Sequence, residues 1–100
     1  MNINTLGLMK RAGALEIGQD RAMDAVKAHK ARVLLLPSDT TERARKNAEM
    51  AAEGRKNPKI VVAPWTNEEI SKVLSTGSCL MIAVTDRGFA DSLLKELGGN

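Results

Sequence analysis

The chain has 100 residues, enough for one hydrophobic core and too few for two. Its 43% apolar and 27% charged residues are the composition of an ordinary globule, and no apolar run approaches the roughly 18 residues that a membrane span requires. Fifteen Lys and Arg against twelve Asp and Glu leave a net charge of +3 and a pI near 9.3, a mild basic excess compatible with an anionic partner without demanding one.

Taken in chain order, Asn4 is the expected cap of a first helix that Gly13 stops. Leu15-Glu16-Ile17 alternates in the manner of an edge strand. The glycine turn Gly18-Gln19-Asp20 opens a second helix running to about Lys30, with Ala22, Val26 and His29 on one face. Residues 32–36 (Arg-Val-Leu-Leu-Leu) lack polar alternation, which suits a strand buried on both faces. Asp39, with Glu42 three residues later, is the expected start of a third helix that Gly54 ends. A second apolar run of the same kind, likewise suited to a strand buried on both faces, follows at residues 59–63, and then come Thr66 and Glu69, whose spacing is that of a capping box for a fourth helix ending near Gly77. The last apolar run, residues 80–84, leads to Asp86, the expected cap of a final helix. There Phe89, Leu93, Leu94 and Leu97 make one apolar stripe. Strands alternating with helices imply an α/β protein, a three-layer α/β/α sandwich.

Catalytic constellations are thin. Ser38 and Asp39 occupy a strand-to-helix turn, where the simplest role of Asp39 is to accept from free backbone N–H groups and oppose the helix dipole. The same holds for Asp86. His29 is the only histidine and Cys79 the only cysteine, so no triad, internal disulfide or tetrahedral Cys/His metal site can be assembled. Leu15-Glu-Ile-Gly-Gln-Asp20 lacks the second glycine of a dinucleotide loop. No enzyme and no cofactor are expected. The N-terminus, MNINTLGLMKRAGALEIG, has none of the regions of a signal peptide, and with a single Cys the expected compartment is the reducing cytoplasm.

Trp65 and Phe89 are the only aromatic residues. A sheet that stacks splayed-out bases needs several exposed rings, so binding to RNA, if it is this chain's function, must use helix ends, loops and phosphate contacts. The segment from Gly18 to Arg32 has that character. Its helix opens with free N–H groups that suit phosphate, and Arg21, Lys27, Lys30 and Arg32 follow. Arg43, Arg45 and Lys46 alternate with Glu42, Glu49 and Glu53 and form a solvated face instead.

The same segment, Gly18-Gln-Asp-Arg-Ala-Met-Asp-Ala-Val-Lys-Ala-His-Lys-Ala-Arg-Val-Leu-Leu-Leu-Pro-Ser-Asp39, resembles the core of the kink-turn-binding ribosomal-protein family, the L-seven-Ae superfamily. Gly18, Ala31, Arg32, the run from Val33 to Leu36 and Asp39 fall on the family's pattern without gaps. Residues 82–90 (Ile-Ala-Val-Thr-Asp-Arg-Gly-Phe-Ala) are similar to its small bacterial YlxQ-like branch. The resemblance spans nearly the whole chain and implies a mixed four-stranded sheet in one RNA-binding domain over residues 1–100. It also implies a cytoplasmic ribonucleoprotein or ribosomal-protein role with structured, kink-turn-like RNA as partner and no membrane. By resemblance, Gly18, Gln19, Asp20, Arg21 and Asp24 enter the major groove at tandem sheared G·A pairs, and Arg32 lies near the backbone. A loop of Ser75, Thr76, Gly77, Ser78 and Cys79 would cover an extruded nucleotide. Lys27 and Lys30 would hold phosphates beside them.

The chain departs from the family in its chemistry. Asp20-Arg21 replaces Asn-Glu, Asp24 replaces a lysine, and Thr76-Gly77-Ser78-Cys79 is a short polar loop where strong binders are apolar. Arg can grip guanine O6 and N7, and Asp can accept from guanine N–H groups, which would exchange the roles of the two positions. The departures also admit an alternative, a protein-interaction module on the same fold.

Overall fold

The computed structural model describes residues 1–78 and 81–98. Its organising element is β2 (Val33–Leu36), four consecutive apolar residues, all buried. They are buried because both faces of the strand are covered. Val33 and Leu35 enter one core with Leu6, Met9, Ile70, Leu74 and Leu93, while Leu34 and Leu36 enter a second with Ala22, Val26, Ala48 and Met81. Successive side chains of a strand point to opposite faces, so a single apolar run supplies both layers.

The sheet is mixed, ordered β1-β4-β2-β3. β3 (Lys59–Val62) runs parallel to β2, while β4 (Ile82–Val84) lies antiparallel to both β2 and β1 (Leu15–Ile17). The first core lies under α1 (Thr5–Arg11), α4 (Asn67–Leu74) and α5 (Arg87–Leu97), and the second under α2 (Gln19–Lys27) and α3 (Glu42–Ala52). The result is the three-layer α/β/α sandwich with a four-stranded mixed sheet. The α2/α3 layer buries mostly small residues, Ala22, Ala25, Ala44 and Ala48 with Val26, whereas α1, α4 and α5 bury the larger Leu6, Met9, Ile70, Leu74 and Leu93. Leu15-Glu16-Ile17 is an edge strand, as its alternation predicts. The apolar run at residues 59–63 is not buried on both faces, because β3 pairs only with β2 and forms the opposite edge, leaving Val62 44% exposed.

The helix ends are chemically specific. Thr66 and Glu69 form the reciprocal capping box, with the Thr66 N–H donating to Glu69 Oε1 at 2.9 Å and the Glu69 N–H to Thr66 Oγ1 at 3.2 Å. Asp86 caps α5 by accepting from the Phe89 N–H at 3.0 Å. Two expectations shift. Asn4 is itself helical and makes no side-chain cap, and Asn2 Oδ1 accepts from the Asn4 N–H at 2.8 Å instead. Thr41, not Asp39, caps α3, accepting from the Ala44 N–H at 3.1 Å. Asp39 does cap a helix, but a distant one, since its Oδ1 accepts from the Asn67 N–H in the first turn of α4 at 2.8 Å.

α2 is shorter than its sequence predicts. His29 adopts φ 60°, with its N–H donating to Val26 O and the Lys30 N–H donating back to Ala25 O. This is the Schellman pattern with histidine where glycine is usual. His29 is therefore exposed beyond the helix and not part of its apolar face.

Candidate nucleic-acid interface

The N-terminus of α2 sits at the sheet end where β2 finishes, held there because the Gly18 N–H donates to Met81 O at 2.9 Å. Gly18 has φ 104° and ψ 154°, a conformation essentially reserved for glycine. Among the described residues no side chain caps this helix, whereas Thr41, Thr66 and Asp86 cap α3, α4 and α5. The first N–H groups of a helix have no intrahelical acceptor, so at α2 they are available to an external one, and the positive end of the helix dipole lies with them. Asp20, in the first turn, partly offsets that field.

Arg21 and Asp24, one turn apart, line a shallow groove of about 390 Å³ with Gly13, Glu16, Lys30 and Thr85. Gln19 turns to the other side, where it shares a depression of about 270 Å³ with Thr41, Arg43 and Asn47 at the start of α3. Arg43, which the sequence pattern assigns to a solvated helix face, is thereby brought beside the α2 terminus. Local periodicity carries no signal for this, because the contact is between helices.

Residues 75–78 lie near this end, since the chain beyond them returns to Met81 beside Gly18. Ser75 takes the left-handed conformation at φ 52° and ends α4. Ser71 Oγ donates to Gly77 O at 3.0 Å, and Asn67 Nδ2 donates to Ser78 Oγ at 2.8 Å. The loop is thus fastened to α4, with Ser75, Gly77 and Ser78 exposed and Thr76 half-buried. Cys79, the last of the expected loop, lies outside the described residues.

The expected site residues do not form one cluster. Gly18, Gln19 and Asp20 stand with Ser75, Thr76, Gly77 and Ser78 at the end of the sheet where β2 stops, and Arg21, further into α2, faces away from that loop into the groove it shares with Gly13, Asp24 and Lys30. Lys27, Lys30 and Arg32 stand at the end where β2 starts, the length of α2 away, about 12 Å at 1.5 Å per residue. Asp24, with Arg21 and Lys30, lies along the groove between the two ends.

Trp65 and Phe89 are half-buried against the first core, so neither is a free stacking platform. Asp39 and Asp86 are occupied as helix caps. Among the described residues no three His, Cys, Asp or Glu side chains gather as a metal site, and no helix is long and apolar enough to cross a membrane.

No protein-family model matches the chain, and no curated protein matches it. Solved structures do. The chain is similar to a protein of unknown function from Bacillus halodurans C, with a TM-score of 0.82 and 22% identity over 93% of this chain and 92% of that one. It is also similar to the Giardia lamblia 15.5kD RNA binding protein, with a TM-score of 0.71 and 13% identity over 96% of this chain and 80% of that one. At these identities the likeness establishes the fold.

Proposed function

We propose that this chain is a non-catalytic RNA-binding protein of the bacterial YlxQ-like branch of the kink-turn family, cytoplasmic and ribosome-associated. It recognises structured, kink-turn-like RNA through the N-terminus of α2. The observation that carries the reading is the uncapped terminus at Gly18 beside Arg21, on a fold shared with an RNA binding protein. A phosphate there accepts from the free N–H groups of the first turn. Arg21 offers two parallel donors, the geometry that fits guanine O6 and N7. Asp20 and Asp24 repel phosphates and accept from base N–H groups, so they favour base edges over backbone. The loop at residues 75–78 covers the base nearest it.

The reading is tested by titrating a kink-turn RNA with the wild-type protein and with Arg21→Ala. Loss of a bidentate base contact costs about 1–3 kcal/mol, roughly 5- to 150-fold in affinity. Equal affinities for the two proteins would remove Arg21 and the α2 terminus from the interface.

A second reading, a protein-interaction module, is favoured by the free edge of the sheet. β3 exposes Val62 beside a groove of about 410 Å³ lined by Ile60, Leu97, Arg45 and Glu49. An extended partner strand could pair with such an edge. A protein that fails to bind RNA yet captures an apolar extended peptide along β3 would fit this reading instead.

A further inference from the structure

The chain's basic character is concentrated in two segments that are distant in sequence. Residues 27–32 and 53–59 hold six cations, Lys27, Lys30, Arg32, Arg55, Lys56 and Lys59, against one carboxylate, Glu53. The other nine cations and eleven carboxylates leave the remainder of the chain at −2. A net charge of +3 is therefore not a diffuse property of the surface.

The fold brings the two segments together. β2 and β3 are parallel, so both begin at the same end of the sheet. The Lys59 N–H donates to Arg32 O at 3.0 Å, and Lys59 stands in register with Val33. Adjacent strands are about 4.8 Å apart, which sets the Arg32 and Lys59 backbones side by side. The loops behind them are also joined. Arg55 Nη1 donates to Val26 O at 3.4 Å and approaches His29 Nδ1 at 3.2 Å. Arginine can only donate, so His29 Nδ1 is the accepting atom of this contact. Val26, His29, Ala31, Arg55, Lys56 and Asn57 enclose a shallow groove of about 350 Å³.

All six cations are exposed, and none forms an ion pair among the described residues, whose pairs are Lys46–Glu42 and Lys72–Glu68. Six unpaired cations held close together repel one another and are relieved by a counter-charge. The groove between them is shallow and open to solvent, so a single compact anion would be poorly held. An array of exposed cations matches a polyanion whose charges are arrayed likewise. From this we propose that the pole where β2 and β3 begin is a second RNA-contact surface that grips the phosphate backbone of a duplex, independently of base sequence. It lies at the opposite end of α2 from the recognition terminus. The proposal rests on the RNA-binding reading above and adds to it that the protein holds RNA at both poles.

The test uses the full chain, a kink-turn RNA and an RNA duplex lacking sheared G·A pairs, titrated from about 50 to about 200 mM salt. The variants are Lys56→Gln/Lys59→Gln at the basic pole and Arg21→Gln at the other, with Lys30→Gln/Lys56→Gln as a second polar pair should the first fold poorly. Each phosphate contact contributes a slope of about 0.9 in log K against log salt. The Lys56/Lys59 variant is therefore expected to bind both RNAs about tenfold or more weakly, with the salt slope reduced by about 2, and Arg21→Gln to lose only the preference for the kink-turn. Wild-type binding to RNA that Lys56/Lys59 replacement leaves unchanged in strength and slope would overturn the second surface while sparing the first. No binding of RNA by the wild type would overturn both. Displacement of the RNA by poly-glutamate at matched charge concentration would assign the pole to acidic polypeptides and overturn the RNA proposal.

Discussion

Removing the Asp39 carboxylate tests how the loop after β2 is fixed to α4. Of the N–H groups at the α4 terminus, those of Thr66 and Glu69 are satisfied within the capping box, and that of Asn67 by Asp39 at 2.8 Å. Asp39→Ala exposes the Asn67 N–H to water and removes a negative charge from the positive end of the helix dipole. A charge-assisted bond of this kind contributes about 1.5–3 kcal/mol when shielded, but Asp39 is exposed and solvent screening brings the loss to about 1 kcal/mol. For a domain of this size that lowers Tm by about 4–8 °C. Asp39→Asn keeps an acceptor oxygen and loses only the charge, so it falls by about half as much. Thermal melts followed by circular dichroism give the magnitude, and amide hydrogen exchange gives the place. The Asn67 amide should lose protection in Asp39→Ala while the Ala44 amide, held by Thr41, does not. Faster exchange at Ala44 with Asn67 unchanged would refute the assignment and return Asp39 to α3.

Other substitutions probe the remaining parts of the account. Gly18→Ala meets nothing within 4 Å of its new Cβ, so its cost is purely backbone strain at φ 104°, about 1–3 kcal/mol in a chemical-denaturation curve. Ser75→Gly relieves the left-handed residue that ends α4, and should raise Tm by a few degrees, corresponding to at most about 1 kcal/mol. Leu93→Ala, at a fully buried site of α5 against the sheet, should cost about 2–5 kcal/mol by denaturant unfolding. A smaller loss would mean that the core beneath α5 collapses around the cavity.

What the sequence makes legible is what is local. The unbroken apolar run of β2, the Thr66/Glu69 pair and the Asp86 cap each depend on neighbours a few residues away, and each is found where its pattern places it. Asp39 was legible as a cap but not as a cap for α4, because its donor lies at Asn67, reached only after β3 has turned the chain back. The end of α2 was hidden because histidine occupies the glycine position of a Schellman motif. β3 reads like β2 in sequence and differs in burial because strand order, which no local pattern encodes, puts it at an edge. The same limit applies to the candidate site. Glycine, arginine and the polar loop are visible in the chain, whereas the division of the cations between two poles follows from the parallel pairing of β2 with β3.

The most direct test of the central claim is the relative affinity of the purified wild-type protein for a kink-turn RNA and for a matched duplex lacking the sheared G·A pairs, each at two salt concentrations. Recognition through the N-terminus of α2 gives tighter binding to the kink-turn at both, with both affinities falling steeply as salt rises. Indifference to the kink-turn, or no binding to either RNA at low salt, would contradict recognition through the N-terminus of α2.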